Sequence, residues 1–277
     1  MLICCESTGI YSKPLKLTCQ KLNCVLWVEN ALKIKRAATD FRGKTDRKDA
    51  LRIAEYALRY KDKQLAHIEP TPEIAEIGVL QKARHSLQEQ IKGLKNQLRE
   101  AKTHDKFEYT ILNTCYKKAL NTLAKELKAI NSLIQQKVDE NKPLKQNVDL
   151  LKSIPGIGLQ NALGFIIYTQ NFNRFKNANQ LACFAGVVPF PTQSGTIQKR
   201  DRVSHFANKT LKALLHMAAM ATVRIPGELQ NYFIRKVAEG KNKMLVINNI
   251  RNKLVKRIFA VIERQTPYSE DVQNIFL

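Results

Sequence analysis

The chain has 277 residues, enough to bury a proper core and to form one or two domains with an extended helical piece besides. Hydrophobic residues make up 44% and charged residues 25%, but 46 Lys and Arg against 24 Asp and Glu leave a net charge of +22. No apolar run reaches the roughly 18 residues a membrane span needs, and no basic stretch leads into a long apolar one, so neither a membrane partner nor a secretory leader is expected.

Residues 1–65 read as alternating strand and helix. Leu2–Glu6 is a short apolar run ending at the turn-prone Ser7-Thr8-Gly9, a helix is predicted from about Ile10 to Leu22, and Cys24–Glu29 is a second β-rich run. A helical pattern resumes near Leu32, and another starts at Thr45-Asp46. Strands separated by helices imply parallel pairing in an α/β sheet. Two strands alone make a poor sheet, with neither face covered and both edges open.

Residues 73–142 differ in kind. Leu80, Leu87, Ile91, Leu94 and Leu98 recur at coiled-coil spacing, with Arg84 where another apolar residue is expected. Leu120, Leu123, Leu127, Ile130 and Ile134 repeat the rhythm, Thr103-His104-Asp105 reads as the break between two helices, and Asn141-Lys142-Pro143 ends the second. An antiparallel helical hairpin is the natural reading, two helices laid flat on a core the other.

Residues 144–277 read as mainly helical. Ser153-Ile154-Pro155-Gly156-Ile157-Gly158 leads into an apolar helix through Ile167, followed by a segment from Phe175 to Gly186 and a turn at Pro189-Phe190-Pro191. A polar loop from Thr192 to Ser204 precedes a helix beginning near Asn208, and a last helix runs from about Lys243 to Gln265. Residues 151–277 carry 18 basic and 6 acidic side chains, which makes this part the best candidate for contact with a polyanion. The six cysteines form no CxxC pair and lie mostly in apolar segments, so they are expected to be reduced core residues of a cytosolic protein.

Three constellations could carry chemistry. Asp46 and Asp49, three apart, emerge from one helix face, and Glu6 ends an apolar strand where open α/β sheets place their sites. Three such carboxylates could hold Mg2+ or Mn2+; the plain reading of the Asp pair is a helix cap and a solvated face. In the second, Pro155, Gly156 and Gly158 resemble the turn of helix-hairpin-helix modules, which contact a nucleic-acid backbone without reading sequence; a tight interhelical turn is the alternative. The third is Ser194 beside Gly195 with Lys199, Arg200 and Arg202, a serine nucleophile in a basic loop or an ordinary polar loop.

Taken in order, these segments resemble the Piv/MooV family of insertion-sequence transposases and invertases. The resemblance rests on Glu6-Ser7-Thr8-Gly9-Ile10-Tyr11, Lys44-Thr45-Asp46-Arg47-Lys48-Asp49-Ala50, Ile154-Pro155-Gly156-Ile157-Gly158, the Leu181–Pro189 run and Ser194-Gly195. The Asn208–Leu214 helix and Gly240-Lys241-Asn242-Lys243 also fit, so nearly the whole chain is covered.

The resemblance implies a partial RuvC-like, ribonuclease H-type α/β domain over 1–65, a helical hairpin or coiled coil over 73–142, and a helical C-terminal transposase domain with a helix-hairpin-helix-like element over 144–277. It implies a DNA recombinase whose Glu6, Asp46 and Asp49 are the last three members of an Asp-Glu-Asp-Asp metal set and whose Ser194 becomes joined to DNA. Lys199, Arg200, Arg202, Lys209, Lys241 and Lys243, with the Pro155–Gly158 turn, are then expected to bind DNA. Further partners implied are a structured non-coding RNA and other copies of the chain, in a dimer or tetramer, at the nucleoid of a prokaryotic cytoplasm. The strand carrying the family's first Asp has no match here, so the expectation is an N-terminally truncated copy with little activity and a poorly stable segment 1–60. A non-catalytic nucleic-acid binder is the alternative, and a helical scaffold for another protein a weaker one.

Overall fold

The computed structural model describes residues 1–7, 9, 12–37, 45–64, 68–194, 197–203 and 207–269, with the backbone alone for 13, 63, 190–194 and 197–202. Among them the protein is mostly helical, with two separate two-stranded sheets. The chain divides into two compact units, Met1–Glu69 and Pro70–Leu277.

In the first unit, β1 (Leu2–Glu6) pairs in parallel with β2 (Val25–Glu29), with α1 (Ser12–Lys21) between them in sequence. The register sets Cys4 beside Trp27 and Glu6 beside Glu29, so by the two-residue period all four side chains share one face. That face meets α3 (Asp46–Arg59), where Trp27 packs on Tyr56 with ring centroids 5.4 Å apart. Both α1 and α3 contact the strand pair, and the coupling of Cys5 to Cys19 and Lys16 puts α1 on the opposite face. The sheet that sequence reasoning left bare on both faces is therefore covered on both, because α3 folds back on it. The short α2 (Ala31–Ala37) lodges its Ile34 in the same small core, and a 3-10 turn, Lys61–Lys63, follows α3.

The second unit opens with α4 (Pro72–His104) and α5 (Lys106–Glu140), separated by one residue. Asp105 ends α4 and caps α5, accepting a hydrogen bond from Phe107 N at 2.8 Å. Cross-links pair Glu76 with Lys137, Arg84 with Asn131 and Gln97 with Tyr116; as one number rises the other falls, so the helices are antiparallel. Ile74, Ile77, Ile134 and Val138 at the base enter the main core, while the seam residues Leu87, Ile91, Leu94, Leu120, Leu123 and Leu127 stay half-buried.

The main core is built by α6 (Lys142–Lys152), α7 (Leu159–Thr169), α8 (Ala178–Ala185), α9 (Lys209–Thr222), α10 (Glu228–Ala238) and α11 (Lys243–Arg264). Four of these are capped by an asparagine whose side chain accepts from the first turn: Asn141, Asn177, Asn208 and Asn242. Gly186 closes α8 with φ 65°. Between α8 and α9 the segment expected to be a polar loop forms an antiparallel hairpin, β3 (Pro189–Ser194) with β4 (Ile197–Val203). Its register slips between Phe190 and Thr192, at Pro191, which has no N–H to give to the ladder. No helix among the described residues is long and apolar enough to cross a membrane. Of the cysteines only Cys19 is buried; Cys115 and Cys183 are exposed, against the expectation that they line a core.

Candidate functional site

Two carboxylates of the first unit, Glu6 and Glu29, stand at the carboxyl ends of β1 and β2. Glu6 ends β1, half-buried, and Asp46 and Asp49 occupy the first turn of α3, which packs on β1. The helix starts there because Thr45 caps it, its hydroxyl accepting from Lys48 N at 3.3 Å, and the two Asp side chains complement the positive end of the helix dipole. Asp49 is already engaged, receiving an N–H from Arg52 at 2.9 Å, whereas no described group bonds to the carboxylates of Glu6 or Asp46.

Sequence reasoning missed a fourth carboxylate. Glu29 stands beside Glu6 in register and is only 9% exposed. It accepts from Tyr56 Oη at 3.2 Å and from Asn30 N at 2.8 Å, and lies 3.2 Å from Lys33 Nζ. The available signal was its place, the last residue of an apolar strand, matching that of Glu6. Hard carboxylate oxygens suit a divalent cation in kind, yet no three candidate ligands among the described residues converge closely enough to hold one.

In the second unit the turn between α6 and α7 divides its two glycines. Gly156 (φ 88°) packs inward against α9, where the Thr222 hydroxyl donates to Pro155 O at 2.9 Å. Gly158 is exposed, with open space where a Cβ would stand, and forms the N-cap of α7 with no side chain over the first amides. An uncapped helix start of this kind presents N–H groups and a positive dipole end outward.

Ser194 is the last residue of β3 and is paired with Ile197, the first residue of β4. Gly195 lies outside the described residues, as do Lys44, Gly43 and Ser204 to Phe206. Lys199, Arg200 and Arg202 all lie on β4, Lys199 opposite Thr192 and Arg202 opposite Phe190. Lys209 and Lys243 are the exposed first residues of α9 and α11, each directly after a capping Asn, and Lys241 is exposed beside the second. The basic residues along α11 are not one surface stripe: Arg251 and Arg257 are each 7% exposed. Arg257 is paired with Glu228. Arg251 is not paired with any described carboxylate, and meets His216 instead.

The chain thus joins a basic helical unit, with an open helix start and a strand carrying Lys199, Arg200 and Arg202, to a parallel strand pair edged by carboxylates. Comparison with known proteins gives its class, that of transposases. Residues 148–233 match the family model described as "Transposase IS116/IS110/IS902 family", and residues 1–102 match a second transposase model, of the IS110 DEDD type. The chain belongs to the IS116/IS110/IS902 transposase family. It is 26% identical over 274 residues to the pilin gene-inverting proteins of Moraxella lacunata and Moraxella bovis, covering 97% of this chain and 82% of theirs. It is 27% identical over 248 residues to the transposase for insertion sequence element IS1111A of Coxiella burnetii, covering 81% of this chain and 68% of that one.

Proposed function

We propose that the chain is a DNA transposase or site-specific recombinase that cuts and rejoins strands through Ser194, with Mg2+ or Mn2+ held by Glu6, Asp46 and Asp49. The observation that carries this is the order of the two family matches. The DEDD-type match covers Glu6, Asp46 and Asp49, and the IS116/IS110/IS902 match covers the Pro155–Gly158 turn and Ser194. Inversion of a pilin gene and movement of an insertion sequence, the actions named for the relatives, both require broken and rejoined DNA.

The proposed parts are a RuvC-like domain over 1–65, a helical hairpin over 73–142 and a transposase domain over 144–277 with a helix-hairpin-helix-like turn. A divalent cation, if held by Glu6, Asp46 and Asp49, would supply Lewis-acid polarisation of the scissile phosphodiester, and Asp49 would have to release Arg52 to take part. The Ser194 oxygen attacks phosphorus as its hydroxyl gives up a proton, and the P–O bond to one DNA end breaks. The departing oxygen takes up a proton to become a free DNA hydroxyl, and the phosphoserine ester keeps the bond energy for rejoining. Lys199, Arg200, Arg202, Lys209, Lys241 and Lys243 contact backbone phosphates, and the amides after Gly158 take another.

The half-buried seam of α4 and α5, with Val79, Phe107 and Ile111 exposed beside it, supports pairing with further copies into a dimer or tetramer. A structured RNA is the remaining proposed partner, drawn by the same positive charge.

A covalent adduct tests the reading. The full chain, incubated with Mg2+ and labelled DNA from the region flanking its gene, gives a band that survives denaturation; Ser194→Ala abolishes the band and keeps DNA binding. DNA binding by the unaltered chain with no adduct in Mg2+ or Mn2+ supports the second reading, a non-catalytic nucleic-acid binder. That reading is favoured by one observation, the failure of three described carboxylates to converge.

A further inference from the structure

Beneath the hairpin's attachment lies a cluster that neither the metal set nor Ser194 accounts for. Lys212 and His216, one turn apart on α9, face Arg251 of α11. Arg251 donates through Nη2 to His216 Nδ1 at 3.0 Å and weakly through Nη1 to Asn248 Oδ1 at 3.5 Å. Its Nε is buried with no hydrogen-bond partner among the described residues.

A guanidinium withdrawn from water and left without a counter-charge is disfavoured, which makes the contrast along α11 informative. Arg257, equally buried and two turns on, is matched by Glu228, which Lys253 also approaches at 3.8 Å. Against Arg251 stand instead Lys212, His216 and the Asn248 side-chain carbonyl. Burial holds the Lys212 ammonium and the His216 imidazolium below their usual pKa ranges, and the Arg251 charge adds to both effects. Two cations and an imidazole held neutral thus crowd one spot, with no carboxylate paired to Arg251 among the described residues.

We propose that Lys212, His216 and Arg251 form a phosphate-binding site that seats one phosphodiester of the DNA backbone. A guanidinium with N–H groups to spare in a fixed fork matches two phosphate oxygens, and the half-buried Lys212 adds a point charge beside it. The site's place suits strand transfer. Asn248, one turn before Arg251, donates through Nδ2 to Val187 O at 2.9 Å, and Val187 leads within two residues into β3, the strand that ends at Ser194. A phosphate seated here is thus held at the root of the hairpin, not at its tip. Only the choice of DNA as the source rests on the proposed function; the anion site itself does not.

The test uses the full chain and three variants, Lys212→Gln, His216→Gln and Arg251→Met, with Lys212→Gln altering only a half-exposed residue should Arg251→Met fail to fold. Duplex DNA affinity is measured across a salt series. The expected result is a loss of about tenfold in affinity and a salt slope shallower by about one in Lys212→Gln, alike for unrelated sequences. Unchanged affinity and slope in all folded variants overturns the proposal, and a loss confined to a structured RNA overturns the DNA assignment. If the unaltered chain binds no DNA, the proposed function fails separately, and thermal melting in inorganic phosphate against chloride at equal ionic strength decides the site. A rise in Tm that the variants lose supports it, and an equal rise in all overturns it.

Discussion

Gly156 is packed face-on against Thr222. A Cβ added at Gly156 would overlap the Thr222 hydroxyl and stand 2.8 Å from Ala218 O and 2.9 Å from Thr222 N, both backbone atoms of α9. With φ at 88° as well, any other residue is strained there twice over. Gly156→Ala is expected to cost about 2–5 kcal/mol, the sum of a left-handed backbone penalty and overpacking against an element that cannot yield. Gly158→Ala, at φ −89° with open space around it, is expected to cost less than about 1 kcal/mol. Urea melts of the two variants check this, and equal losses would contradict the division of labour between the two glycines.

The polar break in the α4–α5 seam is matched across the pair. Arg84, which stands where the heptad rhythm of α4 expects an apolar residue, donates through Nε to Asn131 Oδ1 at 2.8 Å. Such a pair sets register more than it adds stability. Asn131→Leu alone is expected to destabilise by about 1–2 kcal/mol, because it leaves the half-buried guanidinium unmatched, while Arg84→Leu with Asn131→Leu recovers most of that. A double-mutant cycle followed by circular dichroism measures the coupling, and additive losses would show that the two side chains do not act together.

Trp27, the single tryptophan of the chain, is 1% exposed in the Met1–Glu69 unit, whose other buried apolar residues among those described are Cys19, Leu26 and Ile34. The Pro70–Leu277 unit has a far larger buried cluster. Hydrophobic stabilisation follows buried apolar area, so the first unit is expected to open at lower denaturant. Tryptophan emission then reports that unit alone and shifts to the red before the helical far-ultraviolet signal falls, and limited proteolysis cuts before residue 70 first. Coincident transitions would mean that the units unfold as one.

The parts of this fold that were legible in the sequence are those where one periodicity dominates. The leucine spacing of α4 and α5 acts over adjacent turns, so position along the chain is enough to read it, as is the start of α9 near Asn208. The β3–β4 hairpin was not legible, because Pro189 and Pro191 read as a turn and the charges of β4 mask any alternation. Nor was the Lys212, His216 and Arg251 cluster, whose members lie on two helices that meet only in the folded core. Glu6, Asp46 and Asp49 could be picked out as candidates from their element ends, but Arg52 holding Asp49 and Tyr56 holding Glu29 are consequences of how α3 lies on the sheet.

That same contact gives the first unit an alkaline limit. Burial, and then the Glu29 carboxylate, push the Tyr56 phenol from 10.0 up to about 12, while burial, then Cys5 and Glu29, push the Cys4 thiol from 9.0 up to about 11. In both cases the folded state favours the protonated, neutral form. Their contribution to stability is therefore whole below pH 9, falls as Cys4 titrates between 9 and 11, and falls further as Tyr56 titrates between 10 and 12. Tyr56→Phe keeps the ring against Trp27 and Tyr60 but loses the bond to Glu29. It is expected to cost about 0.5–1.5 kcal/mol at neutral pH and to flatten the upper part of the alkaline fall, leaving the part due to Cys4, which Cys4→Ala removes. Tryptophan-monitored urea melts at stepped pH from 8 to 12 measure both limbs. A Tyr56→Phe profile parallel to the parent's over the whole range would show that the phenol is not what ties the first unit's stability to pH.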